Sequence, residues 1–297
     1  MRALLLGAVV VAALVLSGCG QSGPSKAGRR RAVSQYIDSV DIQERVMAQQ
    51  LRGVTNAYHA FSGNAAKLRR AAPSFAHAET TLRTLRTRLA RVPAPADARP
   101  LRRRLLALVD GEIGLAHEVA ALALYLPRFE AVLAPLNRAR ATLKASLAQA
   151  TVPKPTSVPQ AKLKAAQAAY AAAVAAAAGR RADALAAYLD SVGRVASALR
   201  ALHPPPVMAP TRATELRTLS GIRAAGAKLV AALRTQRYAA VPTLSRAFQA
   251  AALTGMSLES QRAEIAAVKA FDQRVRATGT LALRVQKERA RVQKLLG

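Results

Sequence analysis

Apolar side chains recur at alternating spacings of three and four along nearly the whole chain, and prolines cut the pattern into lengths of helical size. That periodicity matches one face of an α-helix and not the two-residue alternation of a strand. The sequence therefore specifies an all-α fold. Val33, Ile37, Val40, Met47, Leu51, Val54, Tyr58 and Phe61 form a first stripe, with Glu44 in its vacant place. Phe75, Ala78, Leu82, Leu85, Leu89 and Val92 form a second, which stops at Pro93 and Pro95. Leu101, Leu105, Leu108, Leu115, Val119, Leu122 and Leu126 form a third, with Glu112 in the open seam position. Pro127 and Pro135 should divide it from a fourth helix over 129–150, since an interior proline removes a hydrogen bond and crowds the preceding turn. Four more helices are expected over 160–202, 211–238, 241–256 and 258–296. The expected architecture is an elongated antiparallel bundle of about eight helices with coiled-coil-like seams. With no tryptophan and aromatic residues at 4%, alanine, leucine and valine must fill its core.

The helices carry an internal repeat. Shifting the first half by 110 residues lays Phe75, Leu82, Leu85, Leu89 and Val92 on Leu185, Val192, Val195, Leu199 and Leu202, and a proline break follows in both copies. After that break a shift of 111 lays Leu105, Leu108, Val119 and Leu122 on Leu216, Leu219, Val230 and Leu233, the mark of a duplicated helix, proline turn, helix unit. Three prolines among residues 151–159 make the clearest linker. They separate a helical half over 33–150 from another over 160–297, with the two halves expected to pack as one unit.

Before residue 33 the chain changes character. Arg2 is followed by the apolar run Ala3 to Leu16, then by Ser17, Gly18 and the only cysteine, Cys19. A short positive segment, an apolar stretch and small residues before a boundary make a signal peptide over 1–18. The run falls short of the roughly 20 apolar residues a spanning helix needs, which disfavours an uncleaved anchor. Leu16 to Cys19 also resembles the lipobox of bacterial lipoproteins. The resemblance implies cleavage before Cys19, a diacylglycerol on its sulfur, and an acylated amino terminus. It places the protein outside the cytoplasm, held on a bacterial membrane by lipid and not spanning it. Residues 19–32, rich in Gly, Ser, Pro and Arg, read as a lipidated cysteine and flexible tether. With Cys19 consumed, disulfides and cysteine chemistry are excluded.

Lys and Arg number 45 against 16 Asp and Glu, a formal charge of +29. Such a surface attracts polyanions by counterion release and long-range steering. Outside a cytoplasmic membrane these are anionic lipid, phosphate-bearing wall polymer or nucleic acid. No zinc-finger spacing, aromatic interleaving or recognition-helix pattern points to specific nucleic-acid recognition. The bland alternative is that arginine solvates helix faces without a dedicated partner.

Five charges interrupt the apolar seams: Glu44, Glu112, Arg181, Arg223 and Asp272. Under the 111 shift Glu112 falls on Arg223, so opposite charges at equivalent positions invite pairing. A buried unpaired charge is costly; these residues must fix helix register, line an interhelical polar pocket, or reach water. Catalytic signatures are missing. The four histidines form no HExxH motif, there is no Gly-rich phosphate loop or GxSxG elbow, and Asp110, Glu112 and His117 are the nearest approach to a metal set. The sequence thus points to no cofactor, no metal and no enzyme. It favours a noncatalytic envelope protein that binds anionic lipid, wall polymer or another envelope protein; the alternative is a solute-binding or accessory lipoprotein with an interhelical pocket.

Overall fold

A computed structural model describes residues 24–59, 65–152, 159–252 and 258–296, with side chains over most of them. The leader, Cys19, the centre of the linker, and the side chains of Met47, Leu51, Val54, Tyr58 and Phe61 lie outside the described residues. The described chain is all-α: α1 (Pro24–His59), α2 (Ala65–Arg91), α3 (Arg99–Gln149), α4 (Leu163–Ala201), α5 (Ala209–Arg234), α6 (Val241–Ala252) and α7 (Leu258–Lys294). Short 3-10 turns precede α3, α4, α5 and α6.

Two expectations about elements change. Pro127 and Pro135 sit inside one continuous α3, so the described residues form seven helices and not about eight. An interior proline costs about 3 kcal/mol. Burying Tyr125, Phe129 and Leu136 on the same stretch offsets that, at roughly 1.5–3 kcal/mol for each large apolar side chain. The tether is also shorter than its composition suggested, because α1 already begins at Pro24. Proline is well suited to a first helical position, and Lys26, Ala27 and Arg29 to Arg31 are good helix formers, which outweigh Gly28.

The contacts divide the chain into two compact units, one of residues 24–124 with 268–296, the other of residues 125–267. The division falls inside α3 and α7 and not at the proline-rich linker. That linker joins α3 to α4, and both helices pack in the second unit. In the first unit, Val33, Tyr36, Ile37 and Val40 of α1 pack with Leu82, Leu85 and Leu89 of α2, Leu101, Leu105 and Val109 of α3, and Val285 and Val292 of α7. In the second, Tyr125, Phe129 and Leu136 of α3 pack with Val192, Val195 and Leu199 of α4 and Leu219 and Ile222 of α5. Phe248 of α6 meets Tyr188 edge to face, with ring centroids 6.3 Å apart. Gly226 permits the close approach of α5 to α4, since a Cβ there would stand 2.6 Å from a methyl of Leu189.

The repeat is visible within each unit. Ala72, Phe75, Ala78, Leu82, Leu85 and Leu89 are buried in α2, and their partners 110 residues later, Ala182, Leu185, Tyr188, Val192, Val195 and Leu199, are buried in α4. The turns match to the backbone bond: Val92 and Leu202 donate to Leu89 and Leu199, and Ala98 and Met208 donate to Pro95 and Pro205. In the first copy an Arg102 guanidinium NH donates to the Ala90 carbonyl. In the second, Arg212 donates to the Leu199 carbonyl at 3.0 Å and to that of Arg200 at 2.6 Å. Arg102 and Arg212 are again 110 apart, so the expected change to 111 does not occur at the turn. Nor does the later burial follow it: α3 buries Val109 and Ile113 where the stripe had Leu108 and Leu115. Glu112 therefore corresponds to Ile222 and not to Arg223.

The arginines act where helix chemistry leaves acceptors without donors. The last carbonyls of a helix have no intrahelical N–H partner, and the prolines that follow α2 and α4 bring few of their own. A guanidinium supplies several donors and the positive charge favoured at a helix carboxyl end. Arg212→Met is expected to lower unfolding stability by about 1–3 kcal/mol, read as a lower urea midpoint. Arg200→Met, which keeps the accepting carbonyl and removes an exposed side chain, should leave the midpoint within about 0.5 kcal/mol of the parent.

Candidate functional site

The polar groups inside the first unit centre on Arg289 of α7. Its Nη2 lies 2.6 Å from Asp41 and 2.9 Å from Glu44, two α1 carboxylates one turn apart. Next to it on α7, Glu288 receives Arg291 at 2.6 Å and faces Arg104 at 3.8 Å. Arg274 pairs with Glu118 at 2.8 Å. These bonds run α7 antiparallel to α3 and fix its register by charge. Sequence reading missed Arg289. The available signal was the acidic pair Asp41 and Glu44 at helical spacing, which marks a face in need of a cation.

Glu112 has no arginine of its own among the described residues: its Oε2, like Asp272 Oδ1, is buried and has no hydrogen-bond partner. Burial first, and the neighbouring Glu44 carboxylate second, push its pKa from the ordinary value up to about 7. Glu44 is also raised by burial, although the Arg289 guanidinium pulls the other way. Burial takes the Tyr36 phenol up to about 12 against the opposing charge of Arg102.

The five seam charges divide between the two units. Glu44, Glu112 and Asp272 belong to the first unit, Arg181 and Arg223 to the second. Of the acids, Glu44 and Glu112 interact electrostatically. Asp272 lies six residues before Thr278, the residue that packs on Gly111. Arg181 donates to the Ala150 carbonyl at 2.9 Å, closing the end of α3. Arg223 is exposed, and its guanidinium lies over Gly193 of α4.

Asp110, Glu112 and His117 also separate. Asp110 pairs with Arg86 of α2, Glu112 turns inward, and His117 Nδ1 lies 3.1 Å from Glu79. Glu79 also takes Arg83 at 2.8 Å, and the Arg83 hydrogen bond, then that of His117, holds its carboxyl below the usual range. No group of three metal-ligating side chains stands together among the described residues. A cleft of about 210 Å³ lies between α1 and α2. It is lined by Gln43, Val46, His77, Thr80, Thr84 and Arg88 and includes none of the five seam charges. No protein-family model matches the chain, and no curated protein or solved structure matches it either.

Two outcomes follow. A carboxyl whose pKa is raised on folding stabilises the protein through its protonated form. Its contribution is complete below the unfolded pKa, near 4.5, and is lost as pH rises through about 7. The loss is about 3 kcal/mol. Glu112→Gln should match the parent at pH 4.5 and exceed it in urea midpoint above pH 7.5; parallel curves across that range would exclude an interior, unpaired Glu112. Arg289→Met removes the cation from two carboxylates, one of them Glu44, and should cost about 3–5 kcal/mol, with Glu44→Gln in the same chain recovering part of it.

Proposed function

We propose that this chain is a lipid-anchored, noncatalytic protein of a bacterial cell envelope, whose helical body works by binding and not by chemistry. The observation that carries the reading is the order Arg2, apolar Ala3 to Leu16, Ser17, Gly18, Cys19, immediately upstream of a basic helical body. Acyl chains on Cys19 would hold the protein durably, because one chain is marginal and two are sufficient.

The charge distribution supports binding to an anionic partner. Asp41, Glu44, Glu118 and Glu288 are taken up inside the first unit by arginines of α3 and α7. Few carboxylates are left to balance the exposed arginines, so the positive charge is presented outward. Anionic lipid, phosphate-bearing wall polymer and an acidic envelope protein fit that surface. A solute-binding role would fall to the α1–α2 cleft, where the Gln43 Oε1 is buried without a partner, and not to the seam charges.

Expressed in a bacterial host, the chain is expected in the membrane fraction with the added mass of its acyl groups, released by detergent and not by salt or alkali. Cys19→Ala should abolish both the added mass and the detergent requirement. An unmodified mass in the parent would overturn the anchoring reading.

A further inference from the structure

One end of the first unit gathers the amino end of α1 and the turn between α2 and α3. The α1 helix contacts the 3-10 turn Ala96–Ala98, and Val33 shares a core cluster with Ala98 and Leu101. The carboxyl end of α7 arrives at the same place, since Arg291 donates to the Asp97 carbonyl at 2.7 Å.

The charged side chains presented there are almost all cationic. Arg29, Arg30 and Arg31 are exposed on the early turns of α1; Arg91, Arg99 and Arg103 are exposed around the turn; Lys294 is exposed at the end of α7. Asp97 is the one carboxylate among residues 24–34, 88–103 and 291–296. Among the described residues no acid lies within ion-pair distance of Arg29, Arg30, Arg31, Arg91, Arg99 or Arg103, whereas Arg86, Arg104, Arg274 and Arg289 further along the unit are each paired.

This is also the end from which the chain leads back to the apolar run. Four residues lie between Cys19 and Pro24, so the two are at most about 18 Å apart along an extended chain. Cationic side chains a few turns beyond that point lie where an anionic bilayer surface acts, over a Debye length of about 8–10 Å. A planar sheet of phosphates suits several separately mounted guanidinium groups, each able to take a phosphate through paired N–H donors.

We infer that this basic end of the first unit is a docking surface for anionic phospholipid headgroups, which sets the helical body directly on the membrane that anchors it. The inference rests on the anchoring reading for its geometry and goes beyond it in naming the surface and its partner. The arginines on α1 are set by the helix that carries them, so they and those of the α2–α3 turn engage the bilayer together.

The test uses the full chain purified from membranes in detergent and returned to vesicles. Ala96→Cys, in the exposed turn, takes a fluorophore, and the vesicles carry a headgroup-labelled acceptor. Energy transfer should be high on phosphatidylglycerol-containing vesicles, low on phosphatidylcholine vesicles, and lost near 1 M salt, where the Debye length falls to about 3 Å. Arg30→Glu, Arg91→Glu, Arg99→Glu and Arg103→Glu together should bring transfer on anionic vesicles down to the neutral level. Reversal of four exposed cations of the second unit, Lys164, Arg180, Lys228 and Arg246, should leave it unchanged, with thermal unfolding confirming that both variants are folded. Equal transfer on both vesicle types, or equal loss in both variants, overturns the docking surface. A reversal-sensitive signal seen with a phosphate-bearing wall polymer and not with anionic vesicles overturns it as well. A chain without acyl mass that does not float on neutral vesicles overturns the anchor instead, whereas an acylated, floating chain with no headgroup preference overturns the docking alone.

Discussion

Two helices that meet at a run of prolines present a problem that packing alone does not solve. The carbonyls at the end of the first helix point into a turn with too few N–H groups to receive them, and leaving them unmet near the core carries a desolvation cost. In both copies of the repeat the answer is an arginine one turn into the next helix, Arg102 or Arg212, reaching back to the carbonyl end. The bond links two consecutive helices through charge and geometry together. It sets the angle at which α3 leaves α2 and α5 leaves α4, and the buried leucines on either side depend on that angle.

The same reasoning changes how the large positive charge is understood. Part of it is structural: Arg102, Arg181, Arg212 and Arg291 are directed at carbonyls, and Arg274 and Arg289 at carboxylates of the unit interior. Arginine suits this role because its guanidinium stays charged and offers five donors in a plane. The charge that remains is unevenly distributed in the first unit, where Asp41, Glu44, Glu118 and Glu288 are paired with arginines and Arg29 to Arg31, Arg91, Arg99 and Arg103 stay exposed. A net value for the whole sequence conceals that separation.

Much of the fold was legible because its information is local. The α2 and α4 stripes are buried at the positions their spacing indicated, and the proline turn recurs as the repeat required. The later stretch of α3 was less legible, since Leu108, Val109, Glu112 and Ile113 place apolar groups on more than one face and spacing alone does not say which face turns inward. Burial selects Val109 and Ile113, and the register inferred from Leu108 shifts with that choice. Proline punctuation was over-read at Pro127 and Pro135, where aromatic packing on the same helix holds it together. The polar network was the least legible part. Asp41 and Arg289 are separated by 248 positions in sequence, and no local pattern links them.

The boundary between the two compact units passes through the interior of α3 and α7 and not through a loop. Truncation therefore meets an unusual obstacle. A cut at the proline-rich linker, the natural choice from sequence, severs α3 from α4 inside one unit and deprives the other of its α7 segment. A fragment limited to either unit would end in mid-helix and expose half of a continuous backbone ladder. The chain is divisible by contacts without being divisible by scissors.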